Sequence, residues 1–94
     1  MKENLIERYL VAEARARGGL ALKWTSPGSA GVPDRLVLLP GGRLGALELK
    51  APGQRLRPLQ EVWQERLQAL GLPVGWADGT EGVDAFLARL EGRL

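Results

Sequence analysis

The stretch Arg35-Leu36-Val37-Leu38-Leu39-Pro40-Gly41-Gly42-Arg43-Leu44-Gly45-Ala46-Leu47-Glu48-Leu49-Lys50 decides how this chain folds. Two apolar runs flank a Pro-Gly-Gly turn. Neighbouring glycines take positive φ without steric penalty, so the pair marks a β-hairpin with strands at 35–39 and 43–50. Side chains alternate along a strand. Leu47 and Leu49 therefore point one way, Glu48 and Lys50 the other. Asp34 opens the first strand, and 48 − 34 = 14 positions separate it from Glu48. Closing the hairpin brings Asp34 back beside Glu48 and Lys50, so two acids and a lysine meet at the open end of a sheet.

Outward from the hairpin, the other elements follow. Residues 2–17 read as a helix, with Leu5, Ile6, Tyr9, Leu10 and Ala16 on one face and Gly18-Gly19 as its stop. Glu7 lies off the centre of that face. Glu13 lies nearer the centre and needs either a frayed edge or a basic partner. Residues 20–25 form a strand, and 26–33 form a loop with two prolines, two glycines and two serines. After the hairpin, 51–57 is a polar, basic loop and Pro58 opens a helix. Its buried face is read as Leu59, Val62, Trp63, Leu67 and Leu70, with Gly71 as the stop. Pro73 to Ala77 is a short strand. Thr80 is placed to cap a last helix, in which Val83, Phe86, Leu87 and Leu90 recur at helical spacing. The order is α-β-β-β-α-β-α: one domain over 1–94, of α/β (α+β) class, with a mixed sheet flanked by helices.

Composition narrows the chemistry. The 94 residues are 45% hydrophobic and 26% charged, which fits a folded globular domain and argues against a disordered one. There is no cysteine and no histidine. Disulfides, Cys/His zinc sites, a cysteine nucleophile and a Ser-His-Asp triad are all excluded. Acid–base work falls to Asp, Glu, Lys, Tyr or water, and any metal must be held by oxygen, which favours magnesium, manganese or calcium. The start of the chain has no signal-peptide pattern, and no apolar run is long enough to span a membrane, so a cytoplasmic location is expected. Net charge is +2, but basic residues gather at Arg15, Arg17 and Lys23 and again at Lys50, Arg55 and Arg57. Such clusters suit phosphates, and equally suit a solvated face.

Asp34, Glu48 and Lys50 have a physical logic together. Paired carboxylates repel unless a cation lies between them. A divalent ion there polarises a phosphate and acidifies water, and a lysine beside it adds a positive point charge. This is what phosphodiester hydrolysis without histidine requires. Glu-x-Lys on a strand is by itself common, and an exposed ion pair is its plain alternative. Gln60 has one too, as a polar residue at a helix start, and Ser26 as a turn former. Of the tryptophans, Trp63 and Trp76 read as core, and Trp24, beside Lys23, is open to a role against DNA.

The combination Gly31-Val32-Pro33-Asp34-Arg35, Glu48-Leu49-Lys50 and Gln60 resembles the PD-(D/E)XK nuclease superfamily. Within it, the chain is most similar to stand-alone VRR-NUC (virus-type replication-repair nuclease) domains. Lys23-Trp24-Thr25-Ser26-Pro27-Gly28 and Leu56-Arg57-Pro58-Leu59-Gln60 fall in the same pattern. The resemblance implies a restriction-endonuclease-like fold and a metal-dependent endodeoxyribonuclease. It makes Asp34, Glu48 and the Leu49 carbonyl ligands to Mg2+ or Mn2+, with Lys50 acting on the attacking water. Glu7 is the helical glutamate reaching the metal, directly or through water, with Glu3 as its competitor one turn earlier. The Glu7-Arg8 pair extends the similarity to archaeal Holliday-junction resolvases. Gln60 completes the catalytic set. Lys23 and Ser26 would touch DNA, and Arg35, Arg55 and Arg57 are counted with them. Branched DNA, a homodimer and no organic cofactor are further implications. Two other readings stay open: a non-catalytic DNA-binding module of the same fold, and a structural protein with a coincidental Glu-x-Lys. Magnesium uptake discriminates the first, and salt-sensitive DNA binding the second.

Overall fold

A computed structural model describes residues 2–92 of the chain. The elements run α1 (Glu3–Ala16), β1 (Leu20–Lys23), β2 (Arg35–Leu39), β3 (Arg43–Leu49), α2 (Pro58–Ala69), β4 (Val74–Ala77) and α3 (Thr80–Leu90). This is the order read from sequence, with ends shifted by one or two residues. The four strands form one sheet in the order β1-β2-β3-β4. β1–β2 and β2–β3 are antiparallel, and β3–β4 is parallel, with α2 as the crossover between them. The hairpin turn forms as its glycines require: Gly41 has φ 87° and Gly42 has φ 72°.

The core lies between one face of the sheet and the α1–α3 pair. Ile6, Leu10 and Ala14 come from α1, Val37 from β2, Leu47 and Leu49 from β3, and Val83 and Leu87 from α3, and all of them are buried. Ala14, not Ala16, completes the α1 stripe, because it stands at i+4 from Leu10 and so directly above it. Tyr9 donates a 2.6 Å hydrogen bond to Asp84 and ties the two helices together. Glu13 finds its basic partner in Arg17, at 3.0 Å, and Arg17 also reaches Glu91.

Three further expectations need correction. No residue of α2 is buried; Leu59, Val62 and Leu70 are 50%, 45% and 84% exposed. The helix meets the sheet at two places, where Gln64 donates to the Gly75 carbonyl of β4 and where Gln60 donates to Glu48 of β3. Its apolar stripe therefore has little to pack on. Trp76, expected in the core, is 39% exposed on β4. It shares the Glu48 side of the sheet, which α1 and α3 do not cover. Thr80 is the first residue of α3 and not its cap, a position held by Gly79.

Candidate metal and nucleic-acid site

Hairpin register builds the site. Arg35 pairs with Leu47 across β2–β3, which sets Asp34 level with Glu48 at the strand ends. Asp34 is held there from both sides: its carbonyl accepts from Trp24 N at 2.8 Å, and its carboxylate accepts from Leu49 N at 3.4 Å. Glu48 projects from the opposite face to Leu47 and Leu49, as alternation demands, and it is buried, at 4% exposed.

Three groups converge on Glu48. Gln60, in the first turn of α2, donates to Oε2 at 3.2 Å, and Lys50 Nζ lies 3.9 Å from the same oxygen. Asp34 is the third. Gln60 is itself fixed, because its Oε1 accepts from Arg57 N at 2.8 Å. Burial, reinforced by the neighbouring Asp34 charge, pushes the Glu48 carboxyl up to about 8, and Lys50 only partly offsets this. Glu48 Oε1 is buried and has no hydrogen-bond partner. A buried carboxylate oxygen without a donor, next to a second carboxylate, suits a cation. Asp34, Glu48 and the Leu49 backbone are thus a donor set fit for a hard divalent ion. Among the described residues, no three ligating side chains are gathered closely enough to hold an ion unaided. Backbone oxygen and water would have to complete the shell.

A cleft of about 300 Å3 opens over this site, lined by Glu3, Glu7, Lys23, Trp24, Thr25, Asp34 and Leu49. Glu7 and Glu3 both reach it, so the cleft holds the two helical candidates together. Glu7 is partnered, however, by an ion pair with Arg35. Lys23 is exposed at the cleft wall. Arg55 and Arg57, in the loop after Lys50, are exposed but do not line the cleft. Ser26 starts a turn, its carbonyl accepting from Ser29 N at 3.1 Å, and it is not among the cleft-lining residues. Arg35 is not at the open surface. Its side chain is 11% exposed and directed at Glu7 and the Ala21 carbonyl.

Sequence reasoning did not assign Thr25 to the cleft, nor Arg35 to Glu7. The second was visible in principle. Arg35, Val37 and Leu39 alternate onto one face of β2, so the arginine had to face α1.

No family model matches the chain. It is 51% identical over 71 residues to "Putative nuclease p44" of Acyrthosiphon pisum secondary endosymbiont phage 1, covering 76% of each protein. A solved structure described as a VRR_NUC domain superposes with a TM-score of 0.85 at 31% identity, over 93% of this chain and 95% of that one. Sequence likeness over three quarters of a relative and a shared fold over nearly the whole chain agree with the Pro-Asp and Glu-x-Lys signature at the strand ends: this chain belongs to the VRR-NUC nuclease-domain family.

Proposed function

We propose that the chain is a divalent-metal-dependent endodeoxyribonuclease acting on branched DNA such as a Holliday junction. The observation that carries this is Glu48: a buried carboxyl with an unpartnered oxygen, beside Asp34 and 3.9 Å from Lys50. Nothing in a purely structural ion pair calls for that arrangement. The names of the phage relative and of the solved domain support nuclease chemistry.

Asp34 and Glu48, with the Leu49 carbonyl, would hold Mg2+ or Mn2+. When bound, the ion supplies polarisation of the scissile phosphate and acidification of water. Glu48 gives up its proton on ion binding, and Gln60 keeps that carboxylate in register. Lys50 sets a positive charge beside the attacking water and the phosphate. Glu7 orients water at the cleft wall. Water attacks in line, leaving 5′-phosphate and 3′-hydroxyl ends. Lys23, Ser26, Arg55 and Arg57 take phosphates of the DNA backbone. No organic cofactor is needed. A homodimer would present two sites to two strands, in the cytoplasm of a bacterial or phage-infected cell.

The test is cleavage of labelled four-way junction, flap, nicked and linear duplex DNA with magnesium or manganese. Wild type should cut a branched substrate, EDTA should stop it, and Lys50→Ala should lose about 100-fold or more in rate. Salt-sensitive DNA binding without cleavage by either protein would turn the assignment to the non-catalytic module.

A further inference from the structure

Arg35 directly follows Asp34, yet its guanidinium points away from the open cleft. Nη1 donates to the Ala21 carbonyl at 3.1 Å, and Nη2 pairs with Glu7 Oε1. The pair joins β2 to α1 and engages one oxygen of the glutamate. Glu7 Oε2 has no hydrogen bond among the described residues. Glu7 is also the one residue common to two hollows: the cleft over Asp34 and Leu49, and a groove along α1 lined by Arg8, Arg15 and Arg35. It stands at the boundary between them. A glutamate on a half-exposed helix face turns freely about several torsions. An arginine clamped to a strand carbonyl removes that freedom, because its planar fork is rigid and two of its nitrogens are committed in different directions.

We infer that Arg35 is a positioning residue for the nuclease reaction, holding Glu7 at the cleft wall with Oε2 free towards the ion-binding end. This rests on the nuclease reading of the site. Arg35 acts through Glu7 and touches neither ion nor DNA. It is to Glu7 what Gln60 is to Glu48: a partner that fixes an acid so that the acid meets the ion in one orientation. Outer partners of this kind typically contribute 10–100-fold to metal affinity.

The test uses the full chain carrying Lys50→Ala, so that DNA stays intact, with magnesium and manganese titrated calorimetrically. Adding Arg35→Gln should weaken manganese binding by roughly 10-fold or more. Glu7→Gln should do the same, and the double variant should be no weaker than either single one, since both remove one interaction. Glu7→Gln alters only a half-exposed helix position and keeps the test valid if Arg35→Gln folds poorly. Arg35→Lys should restore part of the affinity. Junction DNA affinity and its salt slope should not change. Unaltered metal affinity with only a lower melting temperature would make Arg35 a structural residue and overturn the inference. A lower DNA affinity with a slope reduced by about one would make it a phosphate contact and overturn it as well. If the Lys50→Ala parent takes up neither ion, the nuclease reading itself falls, a result distinct from both.

Discussion

At the scale of single residues, Glu48 couples the site to pH. Its carboxyl is pushed up to about 8 from an ordinary 4.5, first by burial and then by Asp34. Between these values the folded protein keeps a proton that the unfolded chain has released. Stability of the metal-free protein therefore falls as pH rises through this window and levels off above about 8. Glu48→Gln removes the effect, because a neutral amide needs no proton and its oxygen still accepts from Gln60. Scanning calorimetry in EDTA from pH 5 to 9 should show the variant overtaking wild type towards alkaline pH. A wild-type melting temperature that rises relative to the variant over that range would contradict the assignment. Ion binding reverses the sign. Only ionised Glu48 is a ligand, so magnesium affinity of wild type should strengthen up to about pH 8, with proton release measurable by calorimetry in buffers of different ionisation enthalpy.

At the scale of elements, legibility differed for physical reasons. The hairpin was fully readable, because period-two alternation and a Gly-Gly turn fix both register and face. That placed Asp34, Glu48 and Lys50 together. α2 was readable as a helix but not as a surface. Periodicity shows that Leu59, Val62 and Leu70 share a stripe; it does not show how far other parts of the chain cover the stripe, and here these three stay exposed. Arg35 was misplaced for a related reason: its neighbour in sequence is the site acid, while its neighbour in space is α1. The loop before β2 carries a further dependence that sequence hides. Gly31 has φ 94°, and a Cβ there would lie 3.0 Å from the Leu59 carbonyl and 3.0 Å from Trp63 Cδ1. The 26–33 loop thus sits directly on the first turn of α2, the turn that holds Gln60 against Glu48. Gly53 has φ 83° but open space around it. Gly53→Ala should cost only backbone strain, about 1 kcal/mol. Gly31→Ala should cost about 2–3 kcal/mol, because contact with α2 adds to the same strain, and should lower cleavage through Gln60. Urea unfolding of the two variants decides this; equal losses would mean that the loop and α2 are not coupled.

At the scale of the molecule, the part of the outer sheet face that α2 leaves open bears on assembly. Cross-strand pairing sets Leu20 against Leu38 and Leu38 against Leu44, with Leu22 against Leu36 beside them. Alternation puts all five on the face opposite the α1–α3 core. Leu20, Leu22, Leu38 and Leu44 are 48%, 46%, 37% and 38% exposed. The patch spans three strands and contains no charge. Isolated surface leucines are ordinary, but a contiguous block of them on a small domain marks a contact surface. The chain exposes 5727 Å2, against about 5300 Å2 for a compact monomer of its mass. A second copy is the occupant that fits, because a two-fold axis pairs the same uncharged patch with itself and needs no complementary charge. We therefore expect the homodimer to form through this face, away from the α1 side where Glu7 and Arg35 lie. Leu38→Glu with Leu44→Glu should then shift the protein to monomer in sedimentation velocity, since unpaired carboxylates cannot enter an apolar interface. The sheet should survive, because both positions face outwards, and magnesium affinity should stay within about two-fold, because neither leucine lines the cleft. Paired cutting of the two strands of a four-way junction should become uncoupled, with nicked product accumulating first. A wild-type protein that sediments only as a monomer at micromolar concentration would remove the dimer and leave each nick an independent event.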